Sequence, residues 1–267
     1  MRFDFSRGNL VEAFVRQRKS KNGWLDDVDQ FVDWSRLETL FDGVYASREG
    51  GASYPILAYI KMLLIQQWHS LSDEKLEAAV DDRPSFRRFC GIPLDRPVPD
   101  HSSIWRFRQH LARKGADDVT LGERMFAEIH AQLDARGLIL RRGTLIDATI
   151  VEAAVNPPKG RDNGTDEGAV GEVSELDPDA GFTKKNGKTF FGYEAHASVD
   201  EGSGLLRRLL TTTAQIHDSQ ACAALIMGDE AAVYADKAYD DAARRERLKK
   251  QGIAARILYK ARRNKPL

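Results

Sequence analysis

The chain has 267 residues, in which 40 Lys and Arg balance 40 Asp and Glu, and it holds only two cysteines, Cys90 and Cys222. That length can bury a sizeable core as one large domain or two modest ones, and two distant cysteines argue against a disulfide framework, exclude a zinc ribbon and indicate a reducing compartment. The longest apolar stretch, 56–65, is broken by Lys61 and too short to span a bilayer, and MRFDFSRGNL lacks a signal-peptide core, so a soluble cytoplasmic protein with no membrane partner is expected.

Up to about Gly137 the apolar period is helical. Over 55–68, Ile56, Tyr59, Ile60, Leu63 and Leu64 recur at helical spacing behind Pro55, which suits a first-turn position. Ser72 is placed to cap a helix whose first turn holds Asp73 and Glu74 and whose inner face carries Leu76, Ala79 and Val80. Pro84 ends it, and a short helix through Phe86 and Phe89 stops at Gly91. After the loop IPLDRPVPD, Asp100 or Ser102 caps a helix on which Ile104, Phe107 and Leu111 share one face. Trp105, Arg106, Arg108, Gln109 and Arg113 are left for solvent or a partner. A further helix over 117–136 aligns Leu121, Met125, Ile129 and Leu133 before Gly137 closes it.

From Leu138 the period moves toward two. LILRRGTLIDATIVEA, TFFGYEAHASVD and GLLRRLLTTTAQI read as strands, with a hairpin turn at Gly202 to Gly204 between the last two. A helix over 219–228, a strand over 231–235, a helix over 241–251 and a strand over 253–259 follow. Hairpin strands followed by alternating helix and strand predict a mixed α/β sheet with flanking helices. Residues 156–188, rich in Gly, Asp, Pro and Lys, read as a flexible insertion.

Two aspartates interrupt this pattern: Asp147 in TLIDATIVEA and Asp236 in VYADKAYDD, each inside a short apolar run that reads as a buried, central strand. Strands disfavour Asp, and a buried carboxylate needs a compensating cation or donor. The pair therefore points to a divalent-metal site. Against it stand ordinary turn or cap bonds at each position. His217 and Asp218 read as helix caps, His196 as a strand histidine near Asp147, and Lys237, Tyr239 and Asp240 as loop-shaping residues. No Ser–His–Asp spacing, P-loop, dinucleotide glycine motif or zinc signature occurs.

A net charge of zero argues against a nucleic-acid partner, but the charge is unevenly placed. From Arg244 onward ten Lys and Arg face the single acid Glu246, and Lys260, Arg262 and Arg263 near the end are candidate phosphate contacts. Arg106, Arg108, Gln109 and Arg113 are candidates to enter a groove of double-stranded DNA.

The ordered blocks LSDEKLEAAVDDRPSFRRFCGIPLDRPVPDHSSIWRFRQHL, TLIDATIVEA, GYEAHASVD, TTTAQIHDSQ and YADKAYDD resemble the DDE transposases of bacterial insertion sequences, most closely the insertion sequence five family. The resemblance implies a helical DNA-binding region, 1–137, followed by an RNase H-like catalytic domain, 138–267. It matches Asp147 and Asp236 to the family's first two catalytic acids, and implies Mg²⁺ (or Mn²⁺), element ends and target DNA as partners, and a homo-oligomer on DNA. Cleavage at such a site needs two cations about 3.5 to 4 Å apart, one at the attacking and one at the leaving oxygen. The family's third acid, a Glu on a later helix in a run like ERxFGxLK, has no counterpart among the residues after Asp236, and Glu246 lies too near Asp236 to serve. Three readings follow: a transposase, an inactive truncated or upstream-frame product that binds DNA and regulates transposition, and a nuclease without strand transfer.

Overall fold

Caps and breakers written into the first half of the chain set its helices one by one. The computed structural model describes residues 21–42, 54–155, 177–185, 187–214 and 218–260. The chain divides into two compact units, Met1–Arg136 and Gly137–Leu267. Described in the first are α1 (Trp24–Phe31), α2 (Trp34–Thr39), α3 (Ile56–His69), α4 (Asp73–Asp82), α5 (Pro84–Cys90), α6 (His101–Leu111) and α7 (Leu121–Ala135). Ser72 caps α4 by accepting from the Lys75 amide (3.3 Å), and Asp100 caps α6 by accepting from the Ser103 amide (2.6 Å). Thr120 and Glu123 form a reciprocal capping box that starts α7 at Leu121, later than the apolar spacing predicts.

The spacing in α3 predicts a one-sided helix, but Ala58, Lys61, Met62 and Ile65 are buried along with Ile56, Tyr59 and Ile60. It is the central helix of its unit. Lys61 is tolerated there because its ammonium pairs with Asp29 and lies 4.5 Å from the centre of the Trp34 ring, replacing water with a carboxylate and an aromatic face. Leu76, Val80, Phe86, Phe89 and Ile104 pack with Leu25, Met62 and Ile65, while Phe107 packs with Phe41, Ile56, Tyr59 and Ile60. The α7 stripe of Leu121, Met125, Ile129 and Leu133 is only half-buried. The buried residue of that helix is Gln132, whose amide accepts from the Asp33 N–H (2.8 Å) and donates to the Asp33 carbonyl (3.0 Å).

The second unit contains β1 (Thr144–Glu152), β2 (Gly181–Lys185), β3 (Lys188–Asp200), β4 (Leu206–Thr213), α8 (Asp218–Leu225), β5 (Ala232–Ala235), α9 (Ala242–Lys250) and β6 (Ala254–Ile257). β3 pairs antiparallel with β1, β2 and β4, and β5 pairs parallel with β1 and β6. The order β4-β3-β1-β5-β6 makes this an RNase H-like mixed sheet with both Asp-bearing strands interior. The tight β3–β4 connection uses Gly202 (φ 99°) and Gly204 (φ 72°), conformations that side chains disfavour.

One expectation is corrected. Gly181–Lys185, inside the stretch read as a flexible insertion, is a strand, held to β3 with the rings of Phe182 and its partner Phe191 4.9 Å apart. Residues 156–176 lie outside the described residues.

Helices α8 and α9 contribute Cys222, Leu225 and Leu248 to one core with Ile146, Val233, Ile253 and Ile257, so both lie on the same face of the sheet. At the start of the two central strands that core gives way to charge. Arg207 of β4, its side chain 1% exposed, donates to Thr144 Oγ1 (3.1 Å) at the head of β1 and to Asp229 Oδ1 (2.5 Å) just before β5. Glu230, 3.8 Å from the same guanidinium, accepts from the amides of Met227, Gly228 and Asp229. Burial works to raise the Asp229 pKa, but the hydrogen bonds from Arg207 and Arg141 outweigh it and hold the carboxyl at about 2.

Replacing Arg207 by Met leaves the buried Glu230 carboxylate without its nearby cation and is expected to cost about 3 kcal/mol in denaturant unfolding. Because the folded pKa of Asp229 is depressed, its contribution is complete above about pH 4, the unfolded value, and is lost as pH falls through about 2. The R207M protein should show a weaker loss of stability across that window.

Candidate metal centre and DNA interface

Burial alternates along the first half of β1: Thr144, Ile146 and Ala148 turn inward, while Leu145, Asp147 and Thr149 are exposed. Asp147 thus stands on the open face of a half-buried strand. Asp236 is exposed as well, immediately after β5. The expectation that these carboxylates are buried is therefore corrected: an apolar run with one solvated face reads the same as a buried one when Leu145 and Val151 are themselves exposed.

What the fold does supply is adjacency. The parallel register between β1 and β5 runs Thr144↔Val233, Leu145↔Tyr234, Ile146↔Ala235, and the next residue on each strand is Asp147 and Asp236. Neighbouring strands lie about 4.8 Å apart, so the two acids follow the last β1–β5 pair on adjacent strands, Asp147 within β1 and Asp236 just past β5.

Each acid also makes the local bond expected of an ordinary turn or cap. Asp147 Oδ1 accepts from the Ala148 amide (2.8 Å), and Asp236 Oδ1 accepts from the Ala238 amide (2.6 Å), capping the single 3-10 turn Lys237–Tyr239. Among the described residues, Oδ2 of neither has a hydrogen-bond partner. Two carboxylates with spare oxygens suit a hard divalent cation, which prefers oxygen donors and keeps several waters. Among the described residues no group of three or more His, Cys, Asp or Glu is placed to hold a metal.

Other sequence candidates sort themselves by position. His196 pairs with Ala148 and therefore faces away from Asp147; it is buried, with Nε2 3.0 Å from Thr212 Oγ1. Tyr239 is a core residue, and Asp240 receives hydrogen bonds from Arg245 Nε (2.8 Å) and the Lys260 amide (2.9 Å). Lys237 and Glu246 are exposed, Asp218 opens α8, and His217 lies outside the described residues.

On α6, Trp105, Arg106, Gln109 and, just past its end, Arg113 are exposed. Arg108 is not part of that face. Its guanidinium grips Asp73 of α4, with Nη1 3.0 Å from Oδ2, and donates to Gln66 Oε1 (3.1 Å) on α3. The hydrogen bond from Arg108 is the main reason the Asp73 carboxyl titrates below its ordinary value. The basic tail is also thinner than its composition implies. Arg244 is buried against the Tyr239 carbonyl and Arg245 is held by Asp240 and the Ile257 carbonyl. Arg247, Lys249, Lys250, Arg256 and Lys260 are exposed, while Arg262 and Arg263 lie outside the described residues.

Sequence reasoning missed the Arg207 clamp and a row on the acids' own face, Leu145–Tyr234–Arg256, set by the pairings across β1, β5 and β6. The two-residue step from Tyr234 to Asp236 carried the signal, but only a known strand pairing makes it legible.

A sheet of this order, with one acid inside β1 and the other just past β5 where their parallel pairing stops, is that of an RNase H-like domain. Residues 138–266 match the family described as Transposase DDE domain, and residues 13–110 match Transposase domain (DUF772). The chain belongs to the DDE transposases of insertion-sequence type, and its function is transposition. No solved structure matches it. Among the described residues no helix is long and apolar enough to cross a membrane.

Arg108→Ala leaves Asp73 without its cation and is expected to destabilise the first unit by about 2 kcal/mol, whereas Arg106→Ala should change stability by less than about 0.5 kcal/mol. Parallel denaturant titrations of the two variants decide whether the residues belong to different classes.

Proposed function

We propose that Asp147 and Asp236 are the reaction centre at which this transposase cuts the ends of its insertion sequence and joins them to target double-stranded DNA. The observation that carries this reading is the β1–β5 register, which makes the two acids consecutive with a matched pair on adjacent parallel strands. Mg²⁺, with Mn²⁺ as a substitute, would neutralise charge on the phosphate and make water a better nucleophile. The chain contributes rigidity. Asp147 is fixed by a strand paired on both sides, and Asp236 by the turn it caps, so neither needs large reorganisation to present its free oxygen. In the first step water attacks the phosphorus at the element end and the 3′ oxygen leaves as a hydroxyl. In the second, that hydroxyl attacks a target phosphodiester; both are in-line displacements.

Arg106, Gln109 and Arg113 are proposed to contact the duplex from the exposed face of α6, and Lys260 with the basic residues after it to contact phosphates. Transposition brings two element ends together, which supports a homo-oligomer on DNA, and the residue blocks favour the insertion sequence five family. A second reading, a product that binds ends without cutting them, is separated from the first by the same experiment.

The test incubates the chain with labelled element ends and Mg²⁺ or Mn²⁺. Cleavage followed by joining is expected, with Asp147→Asn and Asp236→Asn each slowing it by about 1000-fold or more. Asn caps a turn as well as Asp does, so Asp236→Asn should unfold at the same denaturant concentration as the wild type. Binding without cutting would favour the regulatory product, and cutting without joining a simple nuclease. Affinity for the ends should fall steeply between about 50 and 200 mM salt if the basic residues hold phosphates.

A further inference from the structure

Beside the two acids, the open face of the sheet carries an aromatic ring and a cation that the reaction has not yet used. Leu145, 46% exposed, marks the row Leu145–Tyr234–Arg256 as lying on that face. Side chains two apart in an extended strand share a face. Asp147 and Asp236, two beyond Leu145 and Tyr234, therefore form the adjoining row. Arg256 is exposed, and among the described residues it has neither an ion-pair nor a hydrogen-bond partner. Its guanidinium lies over the Tyr234 ring, 5.8 Å from the centroid.

The ring is itself held. A Cβ at Gly143 would stand 2.7 Å from Tyr234 Cε2 and 2.3 Å from Glu201 Oε2, so Tyr234 occupies space that only glycine leaves open. Glu201, on the other side of that space, makes no ion pair with Arg256 within 4.0 Å. By contrast the neighbouring Arg244 and Arg245 are committed to carbonyls and to Asp240. Arg256 sits two strand spacings from β1, about 10 Å, which is a few nucleotides along a DNA strand.

We propose that Arg256, steadied by Tyr234, is a substrate-binding residue that grips a non-reacting phosphate of the same DNA strand whose scissile bond lies at Asp147 and Asp236. This rests on the reading of those acids as the reaction centre. The planar fork of Arg matches two phosphate oxygens at once, and the aromatic face beneath it limits the orientations the guanidinium explores.

The experiment measures binding of the full chain to a labelled element-end duplex in EDTA, over a range of salt concentrations. Arg256→Ala should weaken binding about 10-fold near 0.1 M salt and make the slope of log K against log salt shallower by about 0.9, the value for one phosphate contact. Arg256→Lys should keep the wild-type slope and recover part of the affinity. Tyr234→Leu should weaken binding without changing the slope, and Tyr234→Phe should leave both unchanged. A single neutral methylphosphonate placed a few nucleotides from the cleavage point should reproduce the slope change, and Arg256→Ala should then add no further loss. An unaltered slope in a folded Arg256→Ala protein, or losses that add at every methylphosphonate position, would overturn the proposal. Repeating the titration in Asp147→Asn separates the two ideas. If that variant still cuts DNA, the reaction-centre reading fails; if it is inactive and the slope ignores Arg256, only the present inference fails.

Discussion

Three residue pairs, Thr144 to Ile146 against Val233 to Ala235, set Asp147 and Asp236 on adjacent strands. Two carboxylates brought close together repel each other, so their backbones must be held by something other than the acids. The parallel hydrogen-bond ladder does this, and it is short enough to need support. Arg207 gives that support from the far end, joining Thr144 at the head of β1 to the Asp229–Glu230 turn that feeds β5. A buried cation among apolar strands would ordinarily be a liability; here Asp229 and the Thr144 hydroxyl accept from it, and Glu230, which ties down three backbone amides, lies 3.8 Å away, so the cluster links the starts of both strands.

Much of the helical unit is legible because its punctuation is local. Ser72, Pro84, Gly91 and Asp100 act within one turn of where they stand, and each marks a boundary found in the fold. The central position of the two Asp strands is legible too, from hairpin order followed by helix–strand alternation. What stays hidden is long-range or two-faced. Arg108 looks free until Asp73, 35 residues away, is seen to hold it. Arg207 reaches partners 63 and 22 residues distant. The runs around Asp147 and Asp236 look buried because Leu and Val occupy both faces of β1, and β2 hides in a segment whose composition is that of a loop.

A chain with no net charge acts on DNA because its charges do different work in different places. Arg87, Arg207 and Arg244 are buried and Arg108 and Arg245 are engaged, each closing a local or tertiary contact with carbonyls or acids. Removing them from the surface count leaves a smaller set of outward cations, Arg106 on α6, Arg247, Lys249 and Lys250 on α9 and Arg256 on β6 among them. Composition averages over these roles; only placement separates the structural arginines from those able to meet a phosphate.

The alternation along β1 also limits how the gene can vary. Because inward Ile146 and Ala148 flank outward Asp147, losing or gaining a single codon within the strand upstream of position 147 would rotate the carboxylate into the core and turn an isoleucine to solvent. Length changes there are tolerable only in pairs. Related elements should therefore accumulate insertions and deletions between strands, while the spacing from Arg141 to Asp147 stays constant even where every other residue of the run has drifted.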